Sequence, residues 1–307
     1  MIRPRSSLMG LAVSVSICLL QSACTTVVSS APLPDESKDD SLGGRILDLR
    51  ANRFIERDEL MRRAATARFV VLGEVHDNVI HHRLQAEVLE ALLQQGRRPA
   101  LAMEQFDREH QPSLDAARAS GELDAGRIAD AGRFDRKGWR WSDYRPLIQL
   151  AATNGLAILA ANLSREDARA VMRSGRAAEG LPVTDPTMQV ALERDIVDGH
   201  CGFRPPDPVL TGMVEAQRAR DASMAKTLAG AQSSGAVLIA GAGHARRDRG
   251  VPAYLPTSMR EEVLSIAYIA LDPDGRTVIT RLRSSFDVAW FTPRAEREDP
   301  CKNFRLP

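Results

Sequence analysis

Apolar residues along this chain follow two periods. Continuous short runs stand at Phe69-Val70-Val71-Leu72-Gly73, Pro99-Ala100-Leu101-Ala102-Met103, Leu156-Ala157-Ile158-Leu159-Ala160, Val237-Leu238-Ile239-Ala240 and from Leu264 to Leu271. Between the first two, His82 to Gln95 carries Leu84, Val88, Ala91 and Leu92 at the spacing of one helix face. Runs that are apolar throughout are strands buried on both faces, and their alternation with helices predicts βαβ units. The expected fold is therefore α/β, with a mainly parallel β-sheet flanked by helices. Thr277 to Leu282, after the turn at Pro273-Asp274-Gly275, predicts an edge strand. The stretch 163–235 is too long for one crossover and rich in Ala, Arg and Glu. It predicts a small inserted helical subdomain, with Gly199 to Pro206 as an irregular loop inside it. No internal repeat interrupts this order.

Composition changes the picture little. Hydrophobic residues make up 44% and charged residues 26% of 307 positions, an ordinary globular balance. A formal net charge of +1 supplies no basic bias for nucleic acid, and aromatics at 5% supply no stacking platform. The core has to be built from Ala, Val, Leu and Ile.

The first residues change the compartment. Arg3 and Arg5 precede an apolar run from Leu8 to Leu20, with Ser22 and Ala23 before Cys24. A basic start, a short apolar stretch and small residues before a cut site read as a secretory signal over 1–23. The run falls short of the roughly 20 residues a spanning helix needs. Leu20-Gln21-Ser22-Ala23-Cys24 resembles a bacterial lipobox with Cys24 as the lipidated residue, although Gln21 stands where an aliphatic residue is usual. With no Asp following Cys24, the resemblance points to the periplasmic face of the outer membrane; a soluble periplasmic protein is the alternative. Residues 24–44 then read as a flexible tether, 45–293 as the α/β domain and 294–307 as a C-terminal tail. In an oxidising compartment Cys201 and Cys301 are able to pair; two isolated thiols are the other possibility.

In open α/β sheets ligands bind beyond the carboxyl ends of the strands. The residues there are Glu74, His76, Asp77, His81 and His82 after the first strand, and Glu104 and Gln105 after the second. Asn162 follows the third, and Gly241-Ala242-Gly243-His244-Ala245-Arg246-Arg247 the fourth. Individually each has a structural alternative: His81 and His82 as a solvated pair at a helix start, Glu74 as an acceptor for turn N–H groups. Gly241-x-Gly243 lacks the further glycine of a dinucleotide fingerprint. Together, two carboxylates and several imidazoles on neighbouring strand ends can perform acid–base chemistry or hold a metal.

Val71-Leu72-Gly73-Glu74-Val75-His76-Asp77-Asn78, with His81, His82 and Gln85 behind it, resembles the ChaN-like haem-binding lipoprotein family. The resemblance continues through Ala102-Met103-Glu104-Gln105-Phe106, Gly138-Trp139-x-Trp141-x-x-Tyr144-Arg145-Pro146-Leu147, Ala160-Ala161-Asn162, Gln217-x-x-x-Asp221-Ala222-x-Met224-Ala225 and Gly241 to Arg246 with Gly250-Val251-Pro252. It implies a parallel sheet with a small helical domain, non-covalent haem as cofactor, and a haem-linked homodimer with stacked haems. It further implies a membrane-anchored role in haem and iron acquisition, with an outer-membrane haem receptor as a further partner. The wider superfamily includes erythromycin esterases and Tiki metalloproteases, which implies the alternative of Glu/His-dependent hydrolysis, metal-assisted or not.

Haem needs an axial donor, an apolar slot and cations for its propionates. The expected pocket comprises Glu74, His76, His81, His82, Glu104, Tyr144, Asn162, His244 and Arg246, with Tyr144, His244 or His76 as axial ligand and no metal beyond haem iron. Tyr144 has Trp139, Trp141, Arg140 and Arg145 around it in sequence; an inward-packed amphipathic helix is the alternative for that segment. Arg246 and Arg247 are candidate propionate partners. No C-x-x-C-H is present for covalent attachment. For hydrolysis, Glu74 or Glu104 would activate water beside His76 and His244, and two close carboxylates would raise one pKa. No Gly-x-Ser-x-Gly elbow is present.

Overall fold

The computed structural model describes residues 36–37, 42–231, 233–271, 277–293 and 301–302. The expected signal segment, Cys24 and the turn at Pro273-Asp274-Gly275 lie outside them. The strands are β1 (Glu36–Ser37), β2 (Ile46–Asp48), β3 (Arg53–Ile55), β4 (Phe69–Glu74), β5 (Ala100–Asp107), β6 (Ile158–Asn162), β7 (Ala236–Gly241), β8 (Val263–Ala270), β9 (Thr277–Val278) and β10 (Val288–Thr292). The helices used below are α1 (Arg57–Thr66), α2 (Val79–Gln94), α3 (Gln111–Ala119), α4 (Ala125–Ala131), α5 (Trp141–Thr153), α6 (Arg165–Ser174), α7 (Pro186–Gly199), α8 (Asp207–Gly230) and α9 (Ala242–Ala245).

The fold is α/β. One eight-stranded sheet runs β3-β2-β10-β8-β4-β7-β5-β6. From β10 to β6 the pairings are parallel, while β2 and β3 add an antiparallel edge. The five apolar runs supply the parallel centre. The period of two along β4 explains why: Val70 and Leu72 enter the core on one face, Phe69 and Val71 the core on the other. The first face is covered by side chains such as Leu89, Leu92, Tyr144 and Leu147 of α2 and α5; Met224 and Leu228 of α8 and Val251 and Leu255 cover the second.

The structure corrects the sequence expectations at its margins. Thr277 to Leu282 is not an edge strand of the main sheet: only Thr277–Val278 are extended, paired antiparallel with β1, and Thr280–Arg283 form a helical turn. The edge is instead built from β10, β2 and β3, segments too short to show a period of their own. Strand β5 runs beyond Met103 to Asp107 through a register shift against β6, which carries the polar Glu104 and Gln105 on strand backbone. In the 163–235 insert, α6 and α7 pack on α8, and α8 itself lies along β5 and β6. Leu42 is buried and Gly44 N–H donates to the Phe291 carbonyl at 2.9 Å, so the end of the 24–44 segment is tied to the sheet. Cys201 and Cys301 form a disulfide across a sequence separation of 100 residues, Cα–Cα 5.5 Å.

Where β4 ends, the chain leaves no room for a side chain at Gly73. A Cβ there would lie 2.7 Å from Ala245 Cβ and 3.0 Å from Ala242 Cα. Gly73→Ala is expected to lose about 1–3 kcal/mol of stability by overpacking, measured by urea denaturation; a wild-type midpoint would show that α9 does not press on β4.

Candidate functional site

The strand order places β7 between β4 and β5, so Glu74, the Gly241 turn and Glu104 stand side by side at the carboxyl ends. Asn78 caps α2 by accepting the Ile80 N–H at 3.0 Å, and the first turns of that helix aim His82 and Gln85 back at Glu74.

Both oxygens of Glu74 are occupied. Oε1 accepts the Tyr144 hydroxyl at 2.5 Å and His76 Nδ1–H at 3.0 Å. Oε2 accepts Gln85 Nε2–H at 2.6 Å and lies 3.2 Å from His82 Nδ1. The Nδ1 of His82 also faces Gln85 Oε1 at 3.1 Å, and its Nε2 donates to the His76 carbonyl at 3.1 Å. With acceptors at both ring nitrogens, His82 is an imidazolium. Burial opposes the charge of Glu74, but hydrogen bonds and charge from His76 and His82 outweigh it and hold the carboxyl well below the usual range. Burial likewise opposes the protonation of His76 and His82, but Glu74, joined at His76 by Glu104, outweighs it, and both pKa values are raised.

A second cluster abuts the first. His244 on α9 directs Nδ1 at Asp221 Oδ1 (2.7 Å) and Nε2 at Glu104 Oε1 (3.4 Å), with Gln217 Nε2 beside the ring. Glu104 Oε2 accepts the Gly241 N–H at 2.8 Å. Burial disfavours the charged ring, yet the two carboxylates push His244 up to about 10. Burial works against the Glu104 charge too, and His244, His76 and the Gly241 N–H bring it to about 2. Burial wins only at Asp221, raised to about 6 against the pull of His244. His76 bridges the clusters: a Cβ on Gly241 would touch its ring at 2.9 Å, so glycine there makes the space the imidazole occupies.

The structure thus gathers Glu74, His76, His82, Glu104, Tyr144 and His244, and sets Asn162 at the end of β6 beside Glu104. Three expectations are corrected. His81 is turned away, its Nδ1 accepting the Val75 N–H at 3.0 Å and its Nε2 3.1 Å from Thr292 Oγ1 on β10. Arg246 is held by Asp248 through two hydrogen bonds of 3.0 and 2.8 Å, and Arg247 by Asp287 and the Val263 carbonyl, so neither faces the site. Tyr144 has 0% exposure, and burial with the adjacent Glu74 raises its pKa far above the ordinary phenol, so it is a neutral donor rather than a phenolate ligand. The pair of glutamates does not raise a pKa either, because each has its own imidazolium. Among the described residues no three His, Cys, Asp or Glu side chains converge in a way that could hold a metal ion.

Asp221, Gln217, Gln85 and Trp139 join the site without having been singled out as site residues. The spacing of Gln217 and Asp221, one helical turn apart, was the available signal. Trp139 packs edge-on against His76 with ring centroids 4.8 Å apart.

A parallel α/β sheet with paired Glu–His clusters at its strand ends defines the class of protein. Residues 60–255 match the family described as haem-binding uptake, Tiki superfamily, ChaN, and the chain belongs to it. ChaN of Campylobacter jejuni, solved in a study of cofacial haem binding, is similar at a TM-score of 0.68 and 23% identity, over 80% of this chain and 95% of that one. An erythromycin esterase, EreC, in its open conformation aligns at a TM-score of 0.47 and 11% identity, covering 87% of this chain and 99% of its own. A search of curated proteins returned no match.

The clamp on His244 has a pH signature. The folded state binds that proton more tightly than an ordinary imidazole of pKa 6.5, so its contribution is complete below about 6.5 and drains away as pH rises towards about 10. Urea midpoints are expected to fall across that window, and His244→Gln to flatten the fall; an equal slope in the variant would remove the imidazolium assignment.

Proposed function

We propose that the chain binds haem non-covalently on the open face at the strand ends, with His76 Nε2 as axial donor. One observation carries this reading: among the expected ligands only His76 combines an accessible ring with a fixed orientation. Its side chain is 45% exposed and its Nδ1 is bound to Glu74 at 3.0 Å, and among the described residues no hydrogen bond engages Nε2, where iron would take the place of the proton. A carboxylate on the far ring nitrogen is the usual support of a metal-ligating imidazole, since it fixes the tautomer and raises basicity. Tyr144 and His244 are buried and committed to other partners.

The surroundings fit a flat, amphipathic ligand. Trp139 supplies a ring beside His76, and Val79 at the start of α2 is 39% exposed. Arg140 is an exposed cation nearby, donating to the Asp77 carbonyl and 3.7 Å from Asp143, and Arg145 on α5 is exposed as well. The cavities flanking the clusters hold about 110 and 210 Å³, too little to enclose a tetrapyrrole. Haem would therefore lie on the surface with one face uncovered, and a second copy of the chain with its own haem would cover it. This is the haem-linked homodimer in the cofacial manner described for the Campylobacter protein.

Haem or iron acquisition is the role we assign to such binding, from the periplasmic face of the outer membrane, with lipid on Cys24 as anchor and an outer-membrane haem receptor as upstream partner. Both glutamates have their oxygens occupied by hydrogen bonds and are held well below the usual carboxylate range, so each is a weak base towards water, which favours binding over the hydrolytic alternative.

Titration of the soluble fragment beginning after Cys24 is expected to give a saturable Soret shift and a haem-dependent dimer by sedimentation. His76→Ala should abolish the shift. Tyr144→Phe should keep it while losing about 1 kcal/mol of stability through one hydrogen bond. A shift that survives His76→Ala and vanishes in Tyr144→Phe would reverse the ligand assignment. Separately, the full chain should incorporate labelled palmitate and pellet with membranes, and Cys24→Ser should do neither; a labelled Cys24→Ser chain would rule out the anchor.

A further inference from the structure

Beyond the haem face, the ends of β5 and β6 border a small polar cleft of about 110 Å³. Trp139 and Leu163 wall it, and Asp107, Arg133, Asn162 and Arg220 line it beside Gln105. Several charged groups there already have partners: Glu104 has His244 and the Gly241 N–H, and Asp135 has Arg165 at 2.7 Å.

What is left over points to a ligand. Asn162 is 4% exposed and its Oδ1 is buried with no hydrogen bond. Gln105, also 4% exposed, lies near Tyr144 without a hydrogen bond of proper geometry from either amide atom. Buried polar groups are almost always satisfied, so orphans lining a cleft call for a partner from outside the chain. Half-buried Arg220 and exposed Arg133 form no ion pair among the described residues, and neither does half-buried Asp107. Burial raises the Asp107 pKa, with only the Arg165 backbone N–H and more distant cations opposing it. Among the described residues Arg133 thus has no close anion and Arg220 only the more distant charges of Asp107 and Asp221, while Asp107 keeps acceptor capacity beyond the Arg165 N–H and the Asn162 amide oxygen has no donor.

We infer that this cleft binds a small zwitterion of the α-amino acid class. The carboxylate would bridge Arg220 and Arg133, for which planar guanidinium forks are suited. The ammonium would donate to Asp107 and to Asn162 Oδ1, and a short side chain would rest against Leu163 and Trp139. A simple carboxylate would leave Asp107 and Asn162 unmet; a simple amine would leave both arginines unmet. The volume admits a small amino acid and excludes a tetrapyrrole. Trp139 borders this cleft and the haem face alike, but the inference does not require haem to bind.

The test is calorimetric titration of the haem-free protein with L-alanine, propionate and ethylammonium. L-alanine should bind saturably, and each half-molecule at least about tenfold more weakly. Arg220→Gln and Asp107→Asn should each weaken L-alanine by at least about tenfold. Arg133→Gly should weaken it too, and this variant guards against a folding artefact, because Arg133 sits at φ 51°, where glycine is unstrained. Haem titration should be unchanged in all three. The inference is overturned by equal binding of L-alanine and propionate, or by no saturation with L-alanine, L-serine or L-glutamate. It is also overturned if Arg220→Gln weakens haem instead, which would make the cleft a propionate seat.

Discussion

A carboxylate buried at the end of β4 is the constraint around which the strand-end region is organised. An isolated charge in that position would be prohibitively costly. Glu74 is tolerated because α2 supplies His82 and Gln85, α5 supplies Tyr144, and the turn after β4 supplies His76. These donors come from elements that are remote in sequence, so the carboxylate also fixes how α2 and α5 seat on the sheet. Removing any one donor leaves a charged oxygen under-satisfied, which penalises alternative packings of that face.

The same electrostatics limits the chemistry. Each glutamate is matched to its own imidazolium, and Asp221 shares His244 with Glu104. Charges so paired hold protons firmly instead of exchanging them. The clusters therefore act as a rigid floor, and what they present outward is the exposed edge of His76 beside Trp139. A preorganised imidazole on a rigid support is suited to holding a ligand in one orientation. Gly241 completes the arrangement, since any larger residue would displace the ring that joins the two clusters.

Much of this was legible in the order of residues. The buried parallel strands announce themselves because a strand covered on both faces has no polar positions, and the strand ends then nominate Glu74, His76, His82, Glu104 and His244. Illegible were features decided by neighbours far away in the chain. Strands β2, β3 and β10 are too short to display periodicity, and β10 is a strand only because β8 and β2 lie on either side of it. His81 and His82 are adjacent in sequence, yet one points at Thr292 and the other at Glu74, since consecutive helical positions face different directions. Arg246 looks like a ligand partner until Asp248 is seen to hold it.

By itself, the sequence determined the α/β class, the central strands and the types of side chain that reach the strand ends, because hydrophobic period and strand polarity are local properties. Which of those side chains are locked among partners and which stay accessible was set by the packing of elements remote in the chain. That distinction depends on burial and on hydrogen-bond partners contributed by other elements: Tyr144 is a donor inside the core because α5 presses it onto Glu74, and His76 is accessible because nothing but glycine stands at Gly241.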